Sequence, residues 1–137
     1  MNEHQIREAC SRHSGLAVLS DATLALALDR VADRFVNERD RVRWWTSLKG
    51  DIEVDSYGTA DGLTLLRERL RGVSSELTLV ITDDDPPPWL GIRGELPELL
   101  SLLADLPCCE FFVFDDRQEW LLFDTHHNEL IVARKHE

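Results

Sequence analysis

Three short apolar runs near the end of the chain constrain its fold more than any other feature. The runs cover residues 111–114, 120–123 and 130–133, and short polar segments separate them. They are rich in aromatic and β-branched residues and are bounded by polar turns, which favours strands. Because connections this short join antiparallel neighbours, the stretch predicts a three-stranded meander.

Helical periodicity dominates the part of the chain that precedes the meander. Apolar residues at three- and four-residue spacing predict helices over residues 3–13, 61–71 and 98–106. They predict a further helix, the second in the chain, which Ser20 or Asp21 can cap and whose apolar stripe runs from Leu24 to Phe35 and can extend to Val42. In the second helix, Ala25, Leu26 and Ala27 widen the apolar stripe, and we expect this helix to pack deeply. The predicted fold class is α+β, with N-terminal helices packed on a mostly antiparallel sheet that ends in the meander.

Two further segments have the alternation expected of extended structure. Residues 51–57 indicate an edge strand or an extended loop, and residues 77–82 indicate a strand. The first two runs of the meander are apolar on both faces, which predicts cover on both sides of the sheet. One cover is a helix, and the other is formed by loops, a second helix layer or another subunit.

The size of the chain and its cysteines indicate a single cytoplasmic domain. A length of 137 residues predicts one domain, residues 1–137. The three cysteines, two of them adjacent, do not suggest a disulfide framework, which favours a reducing compartment. The leucine-rich stretch at 96–106 is too short to span a bilayer, and the first residues lack the layout of a signal peptide.

Negative charge is concentrated in the second part of the chain. The net charge is −11, and residues 1–50 carry seven acidic and eight basic residues, whereas residues 51–137 carry nineteen and seven. A surface of this sign repels phosphate backbones, which disfavours binding to nucleic acid. It attracts a basic protein partner. The alternative is that the acidic residues only keep the protein soluble.

An acidic loop supplies the first candidate contact surface. Asp83, Asp84 and Asp85 precede three prolines and Trp89, which predicts a stiff, exposed connection. We predict that this loop binds a partner, with Trp89 as the interface anchor. The predicted partner-binding set also includes three acidic residues of the meander, Asp115, Asp116 and Glu119. The loop lacks an EF-hand pattern, and a merely solubilising role is the alternative.

Motifs of catalysis and of metal binding are absent from the sequence. No nucleophile elbow, phosphate-binding glycine loop or zinc-protease motif occurs, so we predict no enzyme activity and no cofactor. His126 and His127, with Asp124, form the one constellation worth testing for a metal. Adjacent side chains of an extended segment point to opposite faces, which argues against a shared metal ion. A metal-binding protein that uses this turn is therefore the third hypothesis.

The meander also carries a family resemblance. The run Glu110-Phe-Phe-Val-Phe-Asp115, then Glu119-Trp-Leu-Leu-Phe-Asp124, then His126-His127-Asn-Glu-Leu-Ile-Val132 resembles the ending of a group of short bacterial proteins. Some of these are grouped with immunity proteins of polymorphic or contact-dependent toxin systems. The resemblance covers roughly residues 110–133 and implies a cytosolic inhibitor that binds one toxin domain, with no catalytic residue. The alternative is another interaction or regulatory protein, homodimeric through an open sheet face.

Overall fold

The computed structural model describes residues 3–37, 44–56, 62–73, 76–82, 89–106, 110–125 and 129–134. The helices in this part of the chain are α1 (Glu3–Ser11), α2 (Asp21–Phe35), α3 (Gly62–Arg69) and α4 (Leu96–Asp105), and a short 3₁₀ turn covers Trp44–Thr46. The strands are β1 (Ala17–Val18), β2 (Asp51–Ser56), β3 (Leu77–Ile81), β4 (Leu90–Gly94), β5 (Phe111–Asp115), β6 (Trp120–Thr125) and β7 (Glu129–Arg134). Within these residues, no helix combines the length and hydropathy needed to cross a bilayer.

All seven strands join one antiparallel sheet in the order β1-β4-β3-β5-β6-β7-β2. The predicted meander is confirmed, because β5, β6 and β7 are consecutive neighbours. The predicted edge strand is also confirmed, since β2 pairs with β7 alone and ends the sheet. Helices and an antiparallel sheet together confirm the α+β class.

Helices cover both faces of the sheet, which resolves the question of the second cover. Residues of α1, α3 and α4 pack on one face, together with Leu79 and Val113. Residues of α2 and the 3₁₀ turn pack on the other face, together with Val80 and Phe112. Adjacent residues of a strand point to opposite faces, so β3 and β5 contribute to both cores. Complete burial of a valine, leucine or phenylalanine side chain stabilises the folded state by about 1.5–3 kcal/mol relative to leaving it exposed.

Local sequence explains where two of the helices begin. Ser20 caps α2, because its Oγ accepts a hydrogen bond from the backbone N–H of Thr23 at 3.2 Å. Pro97 lies in the first turn of α4, where its missing N–H has no intrahelical partner to lose.

The structure corrects two details of the sequence interpretation. Leu26 does not deepen the packing of α2, because 65% of its surface is exposed. The strand β4 and the two-residue strand β1 were not predicted. Gly91 lies in β4 against α2, and a Cβ added there would lie 2.7 Å from a methyl group of Leu24. This close approach explains why the strand contains a glycine that weakens its sequence pattern.

Candidate partner-binding surfaces

Acidic side chains meet at one end of the sheet. Leu77 at the start of β3 pairs with Gly94 at the end of β4 and with Asp115 at the end of β5. Glu76, Glu95 and Asp116 flank these strand ends, and Glu98, in the first turn of α4, lines one pocket with Glu76 and Glu95. Glu119 precedes the adjacent strand β6. We call this surface the acidic end, and it consists of Glu76, Glu95, Glu98, Asp115, Asp116 and Glu119.

The turn between β5 and β6 holds three of these carboxylates in place. The backbone N–H of Gln118 donates to the carbonyl of Asp115 at 3.1 Å, and Gln118 has a positive φ of 52°. The backbone N–H of Glu119 donates to Oδ1 of Asp115 at 3.2 Å. Arg34 of α2 donates to the carbonyls of Arg117 and Gln118 at 2.6 and 3.0 Å. The turn is thus fixed to a helix as well as to its own strands.

One arginine links the two halves of the acidic end. Nη2 of Arg93 donates to both carboxylate oxygens of Asp116 at 2.7 and 2.8 Å, and its Nε donates to Glu76 at 3.2 Å. Among the described residues, no basic side chain forms an ion pair with Glu95, Glu98 or Glu119. The surface therefore keeps a net negative charge after its internal pairing.

The acidic end contains three of the predicted partner-binding residues. Asp115, Asp116 and Glu119 lie together at the acidic end. Thr82, which precedes Asp83, lies at the opposite end of β3, five residues from Leu77. At about 3.4 Å per residue, that separation is about 17 Å. Asp83, Asp84 and Asp85 themselves lie outside the described residues.

Trp89 occupies the core, and this corrects the expectation of an exposed anchor. Only 6% of its surface is exposed. Its ring lies edge-on to Trp44 at a centroid distance of 5.0 Å and edge-on to Phe112 at 5.8 Å. Aromatic pairs of this geometry contribute about 0.5–1.5 kcal/mol beyond the area that they bury. Trp89 therefore stabilises the core on the α2 side and presents little surface to a partner.

A buried carboxylate lies at the end of the sheet opposite the acidic end. Glu110 is 1% exposed, and its Oε1 accepts a hydrogen bond from the hydroxyl of Thr82 at 2.8 Å. Its Oε2 accepts a hydrogen bond from Nε1 of Trp45 at 3.0 Å. The backbone N–H of Thr82 also donates to the carbonyl of Glu110 at 3.0 Å. Glu110 thus joins β3, β5 and the 3₁₀ turn, which is a structural role.

The metal hypothesis receives no support from the part of the chain that the structure covers. His126 and His127 lie outside the described residues. Asp124 is 8% exposed and belongs to β6, where it pairs with Phe111 and Leu130. Within the described ranges, no group of three histidine, cysteine or acidic side chains is arranged to hold a metal ion.

The edge strand β2 forms a second exposed surface. Ile52 and Val54 are 44% and 52% exposed, although both are large and apolar. On the opposite face, Glu53 accepts hydrogen bonds from Arg69 at 3.2 Å and from Arg134 at 3.3 Å. Arg69 also forms an ion pair with Asp55. The outer edge of the strand has no neighbouring strand among the described residues.

Sequence reasoning missed half of the acidic end. Glu76, Glu95 and Glu98 are separated from residues 115–119 along the chain, and strand pairing alone brings them close. A prediction of β4 beside β3 would have indicated them.

No family model matches the chain, and neither a curated protein nor a solved structure matches it.

Proposed function

We propose that this protein works by binding a basic protein partner, and that it is a cytoplasmic immunity protein that neutralises a toxin domain. The observation that carries the proposal is the acidic end, with six acidic residues at one end of the sheet that Arg93 pairs only in part. The resemblance of residues 110–133 to the endings of immunity proteins supports the toxin as the partner.

Occlusion of a basic active-site cleft is the proposed mechanism. A toxin that acts on a phosphate-containing substrate presents cationic side chains in its cleft, and carboxylates can take the place of the phosphates. Opposite surface charges raise the association rate, and salt screens this attraction over about 8–10 Å. Glu95, Glu98 and Glu119 supply charge that no described basic residue neutralises, whereas Arg93 holds Asp116 in position.

The first test identifies the partner. The purified chain is immobilised and exposed to lysate of the native host at low and at high salt, and the retained proteins are identified by mass spectrometry. We expect one basic toxin domain that is released at high salt. That domain is then produced separately, and its activity is measured with and without this protein. A retained protein whose activity is unaffected would contradict the immunity function.

The second test locates the contact surface. The variant Glu95→Gln/Glu98→Gln/Glu119→Gln removes three negative charges from the acidic end and leaves the Arg93 ion pairs intact. We expect slower association with the toxin domain and a weaker dependence of the association rate on salt.

A control variant removes the same number of charges elsewhere. Glu3→Gln/Glu8→Gln/Glu68→Gln changes exposed positions on α1 and α3. We expect it to associate almost as fast as the unmodified protein. Equal losses in the two variants would show that only the total charge matters, and they would remove the acidic end from the proposal.

A further inference from the structure

The two edges of the sheet differ in how they are protected from pairing with a strand of another chain. The strand at one edge, β1, has two residues, and a strand this short offers little to pair with. The strand at the other edge, β2, has six residues and pairs with β7 along its whole length. Proline, lysine and β-bulges commonly protect an edge from pairing, and β2 contains none of them; its charged side chains are all acidic, which disfavours an acidic partner strand and favours a basic one. An extended segment can therefore hydrogen-bond to β2 along its outer side.

The faces of β2 specify the side chains that such a segment would carry. Ile52 and Val54 lie on the face that α2 covers, since they pair with Ala133 and Ile131 of that core. Asp51, Glu53 and Asp55 alternate with them and lie on the other face. Side chains directly opposite each other in an antiparallel pair share a face. The complementary segment therefore alternates basic residues with apolar ones.

A second copy of this chain fits the edge poorly. The antiparallel register that sets Ile52 beside Val54 of a second copy also sets Glu53 opposite Glu53 of that copy. The same register sets Asp51 opposite Asp55. Like charges directly opposite each other destabilise a strand pair. Arg69 and Arg134 already form ion pairs with Glu53, and Arg69 also pairs with Asp55. The side chain of Glu53 nevertheless remains 56% exposed and available to a further cation.

We propose that β2 is a docking edge for an extended segment of a partner protein in which basic residues alternate with apolar residues. The segment adds an eighth strand to the seven-stranded sheet, places its apolar side chains beside Ile52 and Val54, and directs a cation toward Glu53. Backbone hydrogen bonds supply affinity, and the alternation supplies selectivity. This docking does not depend on the acidic end or on the partner being a toxin.

Two synthetic peptides of equal composition test the docking edge. One alternates lysine and valine, and the other has the lysines and valines in separate blocks. Each is titrated to about 1 mM, a concentration that detects weak binding, while the amide resonances of the full chain are followed by NMR. We expect the alternating peptide to shift the amide signals of β2 and of its neighbour β7. We expect the block peptide to bind at least about tenfold more weakly.

Matched variants decide between specific and general attraction. Ile52→Lys/Val54→Lys changes two exposed side chains of β2, and Ala22→Lys/Leu26→Lys adds the same two positive charges at exposed positions of α2. We expect the first variant to lose binding of the alternating peptide and the second to retain it. Equal binding of both peptides, or no shift in β2, would overturn the proposal. A concentration-dependent dimer that the first variant abolishes would also overturn it and assign the edge to a second copy.

The acidic-end variant should bind the alternating peptide normally, which keeps this test separate from that of the immunity function.

Discussion

At the scale of single residues, Glu110 makes the most consequential polar contacts. Both of its carboxylate oxygens are occupied, one by Thr82 and one by Trp45, in a position that is almost completely buried. A neutral amide of the same shape has one acceptor oxygen and one donor group, so it cannot accept from both donors, and the Thr82 hydroxyl would have to turn and accept from the amide instead. A buried polar group that loses its partner or its bond geometry costs about 1–3 kcal/mol.

We therefore expect Glu110→Gln to lower the free energy of unfolding by about 1–3 kcal/mol. The measurement is urea denaturation followed by tryptophan fluorescence. Glu95→Gln, a change of the same kind at an exposed position, is the control and should stay within about 0.5 kcal/mol. If the two variants were equally stable, the hydrogen bonds of Glu110 would not be important for the fold.

Cys10 gives a prediction about reactivity. Burial raises the pKa of its thiol above the ordinary value, and the nearby Arg7 lowers it by less. A raised pKa means less thiolate at any given pH, and the thiolate is the reactive form. In a Cys108→Ser/Cys109→Ser background, we expect Cys10 to react with a thiol reagent far more slowly in native protein than in urea. Equal rates would show that α1 does not bury the thiol in solution.

At the scale of elements, the N-terminus of α2 depends on its cap. Ser20→Ala removes the acceptor for the N–H of Thr23 and should cost about 1 kcal/mol. Ser20→Asp keeps an acceptor and adds a negative charge at the positive end of the helix, so it should retain most of the stability. Urea midpoints with unchanged slopes would measure both effects. A Ser20→Ala variant as stable as the unmodified protein would contradict the assigned cap.

The elements that sequence predicted are those whose pattern is local. The meander was predictable because three apolar runs are joined by short polar segments, and α2 was predictable from its cap and its apolar stripe. β4 was not, because two glycines weaken its pattern and its burial depends on β3 and α2. Leu26 was misjudged because a helix stripe does not reveal how much of its width a sheet will cover.

At the scale of the whole molecule, strand position predicts the order of local stability. β5 and β6 are central strands with both faces covered by helices, whereas β2 is exposed along its length. Backbone amides open with free energies that follow burial. We expect native-state hydrogen exchange to be slowest in β5 and β6 and markedly faster in β2. Strong protection of β2 in the isolated protein would indicate that something covers this edge in solution.

The candidate site was predictable only where its residues are neighbours in sequence. Asp115, Asp116 and Glu119 belong to one turn, so their proximity follows from the meander. Glu76 and Glu95 reach the same surface through the pairing of β3 with β4 and β5, which connects distant parts of the chain. Trp89 was misjudged because exposure depends on Trp44 and Phe112, which lie far from it in sequence.

The edge-on pair of Trp44 and Trp89 also gives the protein an internal optical reporter. Two indole rings held 5.0 Å apart at 81° form a fixed asymmetric environment, which produces a strong near-ultraviolet circular dichroism signal. Trp44→Phe should abolish most of that signal while the far-ultraviolet spectrum of helices and strands persists. An unchanged signal would contradict the pair. A ligand or variant that loosens the core beneath α2 can then be detected without a label. Loosened packing removes the near-ultraviolet signal of the tryptophan pair while the secondary structure remains.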